Sequence, residues 1–207
     1  MKDAVDRLTP LGLMVLALLA EGDMHPYEMI RLLRVRRDDR MVSITNGTMY
    51  HTVGRLERAG LLAEVGVGRD GNRPERTTYS VTDAGTRAVV EWVRRELPRI
   101  DRPAEFRVAL AEAHNLERDD ILDLLAARRT AILDDHRTHL ESLHRSVAKG
   151  VPAQVLVEIE RQEALLDAEV RWIDSLTARL DADTIPWGPS AFTDSDRYLA
   201  QRKAAQQ

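Results

Sequence analysis

The chain has 207 residues, 43% of them hydrophobic and 31% charged, and no cysteine. It has apolar content enough for packed cores, and disulfides, thiolate nucleophiles and cysteine-based zinc sites are excluded. The net charge of -4 hides an uneven distribution, with 16 Lys and Arg against 14 Asp and Glu in residues 1–100, and 14 against 20 in residues 101–207. A cationic first half suits a phosphate-bearing partner better than the whole-chain charge suggests. The apolar run from Leu11 to Ala20 is too short to span a bilayer, and Asp3 and Asp6 stand where a secretory signal carries positive charge. The expectation is a cytoplasmic protein with no membrane partner.

In chain order, Thr9 and Pro10 read as the cap and first residue of a helix to Glu21, whose residues Leu11, Leu13, Met14, Val15, Leu18 and Leu19 are too apolar for a surface helix. Gly22 and Asp23 stop it, and His25-Pro26 restarts a second helix with Tyr27, Ile30 and Leu33 as its apolar face. Arg31, Arg34, Arg36, Arg37 and Arg40 follow as a basic cluster, which taken alone is also what a solvated face looks like. Thr45 caps a third helix to about Ala59, with Met49, Val53 and Leu56 turned inward and Gly60 closing it. Its outward residues Asn46, Thr48, Tyr50, His51 and Arg55 form hydrogen bonds, a poor choice for packing and a good one for phosphates and base edges. Thr48 and Tyr50 suit phosphates, and His51 and Arg55 suit guanine edges.

The period then changes to that of strands, Leu62 to Val67 and Arg76 to Val81, separated by Gly68-Arg69-Asp70-Gly71-Asn72-Arg73-Pro74. This predicts a hairpin whose tip presents Arg69 or Arg73 to a minor groove. Thr82 caps a fourth helix from Asp83 to about Leu97, stopped by Pro98. Three helices, a hairpin and a fourth helix describe a winged helix-turn-helix domain over residues 1–98.

The residues that build these elements are Leu11-Gly12-Leu13-Met14-Val15-Leu16-Ala17-Leu18-Leu19, His25-Pro26-Tyr27-Glu28-Met29, Gly47-Thr48-Met49-Tyr50 with Arg55-Leu56-Glu57-Arg58-Ala59-Gly60-Leu61, and Tyr79-Ser80-Val81-Thr82-Asp83-Ala84-Gly85. In this order and spacing they resemble the PadR family of bacterial regulators over about the first 90 residues. Pro26 stands where the family usually has glycine, which should only reshape the helix start, and His51 stands where it usually has proline, so operator contacts do not carry over. The resemblance implies DNA binding, a dimerising C-terminal region, and response to an aromatic or amphipathic small molecule.

Residues 99–180 carry three helical patterns, about Ala104 to Ala113, Arg118 to Ala148 and Pro152 to Leu180. In the last, Leu156, Ile159, Leu166, Val170, Ile173 and Leu180 step by threes and fours along one stripe. The preceding helix supplies Leu122, Leu125, Ile132, Leu140, Leu143 and Val147, so the expected arrangement is an antiparallel pair that meets the same pair of a second chain. The fold class is then mainly α with a small β-hairpin, an all-α dimerisation domain following the winged domain, and an operator forming an approximate inverted repeat. Residues 181–207 read as a tail, with Trp187 able to pack on the body.

Three residues are effector candidates: Trp92, either core filler or one wall of an aromatic site, and Arg129 and His136, either lining a polar pocket or reaching its rim. His136 and His139 beside Asp135 are spaced for a metal, yet the helix reads as a solvated face, and neither metal nor cofactor is expected. No phosphate loop, nucleophile elbow or recognisable carboxylate pair marks an enzyme. The expected function is a homodimeric DNA-binding repressor released by a small effector. The alternative is a dimeric protein-interaction module that retains the winged fold, which would need exposed apolar residues on the third helix and wing.

Overall fold

A computed structural model of the chain describes residues 5–68, 76–189 and 196–206. Helix α1 (Pro10–Ala20) starts where Thr9 Oγ1 accepts the Gly12 N–H at 3.2 Å, and it is buried on nearly every side, as an all-apolar helix must be. Helix α2 (Pro26–Val35) is capped by His25, whose Nδ1 accepts the Tyr27 N–H at 3.1 Å while Glu28 Oε2 accepts the His25 N–H at 3.0 Å. Its apolar face differs from the expected one. Met29, Ile30, Leu32 and Leu33 are buried, and Tyr27 is 48% exposed.

A 3-10 turn (Asp38–Arg40) leads to α3 (Asn46–Arg58), which buries Met49, Thr52, Val53 and Leu56. It ends in a Schellman turn: Leu61 N–H donates to Leu56 O, Gly60 N–H donates to Glu57 O, and Gly60 supplies the left-handed φ of 69°. Strands β1 (Leu62–Gly68) and β2 (Arg76–Val81) pair antiparallel from Leu62 opposite Val81, with a bulge between Glu64 and Gly66. Met24 bridges Tyr79 through two backbone bonds of 3.1 Å, tying the α1–α2 connection to the hairpin. Helix α4 (Asp83–Glu96) is capped by Thr82, whose hydroxyl also donates to Gly60 O at 2.8 Å.

The chain then runs through α5 (Pro103–Ala111) and a 3-10 turn (Ala113–Asn115) into two long helices, α6 (Arg118–Ala148) and α7 (Ala153–Asp181), reversed at Gly150. One apolar core continues from α1 through α4 and α5 into Ile121, Leu125 and Ile132 of α6 and Leu166, Ile173, Leu176 and Leu180 of α7. Arg128, only 3% exposed, lies at this junction. Its guanidinium stacks 3.4 Å over the Phe106 ring, pairs with Glu169 and donates to Arg99 O, so it joins α6, α7, α5 and the α4–α5 connection. Among the described residues, no helix is long and apolar enough to cross a membrane.

The last segment departs from the expected tail. Residues Asp196–Gln206 form α8, which packs on α2. Arg31 Nη2 donates to Ala204 O at 2.9 Å, and Arg202 donates to Glu21 O, so each helix supplies a cation to carbonyls near another helix's C-terminal end. Ala205, 3% exposed, joins Met24, Glu28 and Leu32, which explains how Leu32 is buried away from the α2 core face. Gly22, at φ 145°, makes this possible, since a Cβ there would lie 2.2 Å from Arg202 Nη2. Trp187 is half-buried against the core, as expected.

Where α1, α2 and the second 3-10 turn meet, Arg36 holds the Glu21 carboxylate through two bonds of 2.6 and 2.7 Å. Beside them burial pushes the Glu112 carboxyl up to about 7, the Glu21 and Asp38 carboxylates adding to the rise while the Asn115 amide and Arg36 oppose it. The folded state therefore holds this proton more tightly than the unfolded chain, and stability falls as pH rises from about 4.5 to about 7. Asp38, also raised by burial, acts in the same sense, and His114, lowered by burial, in the opposite one. Glu112→Gln is expected to be the more stable form at about pH 8, its advantage over wild type shrinking towards about pH 5. Urea titrations of both proteins across that range check this, and a constant difference would refute it.

Candidate nucleic-acid interface

The outer surface of α3 is where the sequence places base-reading residues, and Asn46, Thr48, Tyr50 and His51 are all exposed there. Two of the proposed contacts have other work. The Thr48 hydroxyl closes a capping box, accepting the Thr45 N–H at 2.9 Å and donating to Thr45 O at 3.0 Å. Arg55, half-buried, turns back into the domain, where Nη2 donates to Thr9 Oγ1 at 2.8 Å. An arginine on the flank of a helix has the reach to fold onto a neighbouring element, and the capped start of α1 provides an acceptor. Arg55 therefore joins α3 to α1 in this structure, whereas the sequence sets it among the residues suited to guanine edges.

Tyr50 is 51% exposed and meets the His25 ring edge-on at 6.3 Å, so the cap of α2 supports the middle of α3. At helical spacing the outermost stripe of α3 is Gly47, His51, Gly54 and Arg58, on the side opposite Met49, Thr52, Val53 and Leu56. Arg58 is exposed and its Nε donates to Gly54 O at 3.0 Å. The selection of hydrogen-bonding residues passed over Arg58 and both glycines, although the i, i+4, i+7, i+11 spacing marks them. The expected wing residues Arg69 and Arg73 lie outside the described residues.

Over residues 15–91 the chain matches the model of the transcriptional regulator PadR-like family. The matched segment starts within α1, ends within α4 and contains α3, β1 and β2 whole. Similar solved structures include PadR of Bacillus subtilis in complex with operator DNA, 18% identical, covering 82% of this chain and 98% of that one with a TM-score of 0.40. Another is smu.1604c of Streptococcus mutans UA159, 19% identical over 84% of this chain and 97% of that one, TM-score 0.38. A third is Bacillus subtilis PadR in complex with p-coumaric acid, 17% identical over 84% and 99%, TM-score 0.38. The search of curated proteins finds no match.

Outside the matched segment, the three effector candidates do not share partners. Trp92, on α4, is wholly buried with Nε1 donating to Leu8 O at 3.1 Å, which makes it core filler in this conformation. Arg129 pairs with Asp174 of α7 at 2.6 Å near the surface. His136 Nε2 lies 3.8 Å from Glu163 Oε1, while His139 faces Asp135 one turn away on α6. The stripe expected to hold a second chain is largely spent within this one: Leu156, Leu166, Ile173 and Leu180 are buried, and Ile159 and Val170 half-buried. A single chain satisfies that stripe because α6 folds back against it. The large apolar side chains left exposed on the pair are Val147, Val155, Val157 and Leu165.

Proposed function

We propose that the chain is a sequence-specific DNA-binding regulator, a homodimer that represses by covering its operator and is released by a small aromatic or amphipathic effector. The observation that carries the DNA-binding reading is the polar and glycine-bearing outer face of α3 beside the hairpin, within the segment that matches the PadR-like family model. On α3 the only large exposed apolar side chain is Tyr50, contrary to what a protein-docking face requires. Asn46, Tyr50, His51 and Arg58 are the proposed α3 contacts, with Thr48 acting through the α3 cap and Arg69 and Arg73 offered by the wing. The second copy would meet the α6–α7 pair around Val155, Val157 and Leu165, so that two recognition helices read an approximate inverted repeat. An effector acting at the lobe junction would have to draw Trp92 or Arg128 out of its present bonds.

The test is selection of preferred sites from a random duplex pool, followed by binding at several salt concentrations against unrelated duplex. A recovered inverted repeat, bound in preference to competitor and with affinity falling steeply with salt, supports the reading. Equal binding to every duplex, or none, overturns it. His51→Ala is expected to relax preference at one base pair in each half-site, by about 1–3 kcal/mol of discrimination. A uniform loss across all sequences would instead make His51 a phosphate contact.

A further inference from the structure

We propose that Gly54 is a specificity-determining position of α3, kept bare so that the helix backbone can approach the duplex closely; this rests on the DNA-binding reading above. Glycine is the least favourable helix-interior residue after proline, and Gly54 stands well inside α3, so its presence needs a reason. Among the described residues the protein supplies none. A Cβ at residue 54 would meet nothing within 4 Å, and its backbone has no left-handed φ. Gly85 and Gly22 are the contrast, since a Cβ would strike Leu61 O at 2.0 Å in one case and Arg202 Nη2 at 2.2 Å in the other.

What remains is the outside. Gly54 lies between His51 and Arg58 on the outermost stripe, and the Arg58 Nε–H bonded to its carbonyl lays the guanidinium along the uncovered backbone. The stripe therefore alternates two hydrogen-bonding side chains with two bare glycines, Gly47 and Gly54. A groove floor could press into such a surface further than into a continuous row of side chains.

The experiment compares wild type with Gly54→Ala, using thermal unfolding and binding to the selected duplex and to an unrelated one. Alanine is expected to raise Tm by about 2–4 °C, because it removes only the glycine penalty in a chain of this length. It is expected to weaken binding to the selected duplex by about tenfold or more, against a smaller change on unrelated duplex. A raised Tm with unchanged preference would overturn the proposal while leaving the DNA-binding reading intact. A lowered Tm would overturn it too, by showing that the fold requires the glycine. If wild type prefers no duplex at all, the DNA-binding reading fails and takes this inference with it.

Discussion

Gly85→Ala is expected to cost about 3 kcal/mol of unfolding free energy, towards the upper end of what overpacking a filled site costs. The added methyl would lie 2.0 Å from Leu61 O and 2.7 Å from Val81 Cγ2, and the nearer obstacle is backbone, which no side-chain rotation can clear. Leu61 O also accepts the Thr82 N–H at 3.1 Å, and Leu61 N–H closes the Schellman turn at the end of α3. Relief of the clash must therefore move the end of α3, the root of the hairpin or the start of α4. A fall in Tm of roughly 6–12 °C follows from the entropy of unfolding a chain of this length. Thermal and urea unfolding would measure it, and a change within about half a kcal/mol, as at an unconstrained surface position, would show that the site relaxes freely. The same substitution thus carries opposite signs at residues 85 and 54.

Trp92→Ala should cost more still, about 3–5 kcal/mol, since the side chain is fully buried and the alanine leaves a cavity and an unpaired Leu8 carbonyl. Trp92→Phe keeps most of the apolar contact and loses the hydrogen bond, so it should fall between. The comparison separates the two readings of this residue. A core tryptophan loses stability in the absence of any ligand, whereas one wall of an open binding site would leave stability nearly unchanged and alter only the response to small molecules. Denaturant titration of the two variants without ligand decides between them.

The sequence discloses those parts of the fold whose signals are local. Thr9-Pro10, Thr45 and Thr82 mark three helix starts because a cap is a contact over two or three residues, and Arg118 to Ala148 was readable as one helix end to end. The hairpin was legible from the change of period at Gly60. The α8 contact was not, because its bonds join residues 173 and 181 positions apart. Leu32 was the available clue, an apolar residue off the predicted face of α2, but nothing local says what covers it. At the candidate site, Asn46, Tyr50 and His51 were read from polarity and helical phase, whereas the inward turn of Arg55 depends on Thr9 being near, which only the packed domain reveals.

The winged lobe is attached to the rest of the chain twice, leaving through α4 and being met again by α8 on α2. The first of these joins is covalent and the second is made by hydrogen bonds and packing alone, so the second can open without breaking the chain. A ligand that favoured a state without the α2–α8 contact would have to supply, in its differential affinity for the two states, at least what that contact contributes. Because α8 is tethered, its effective concentration at α2 is high and the contact re-forms readily once the ligand leaves. The balance between two such states would then be adjusted at Gly22, Arg31 or Arg202, the residues on which the contact rests.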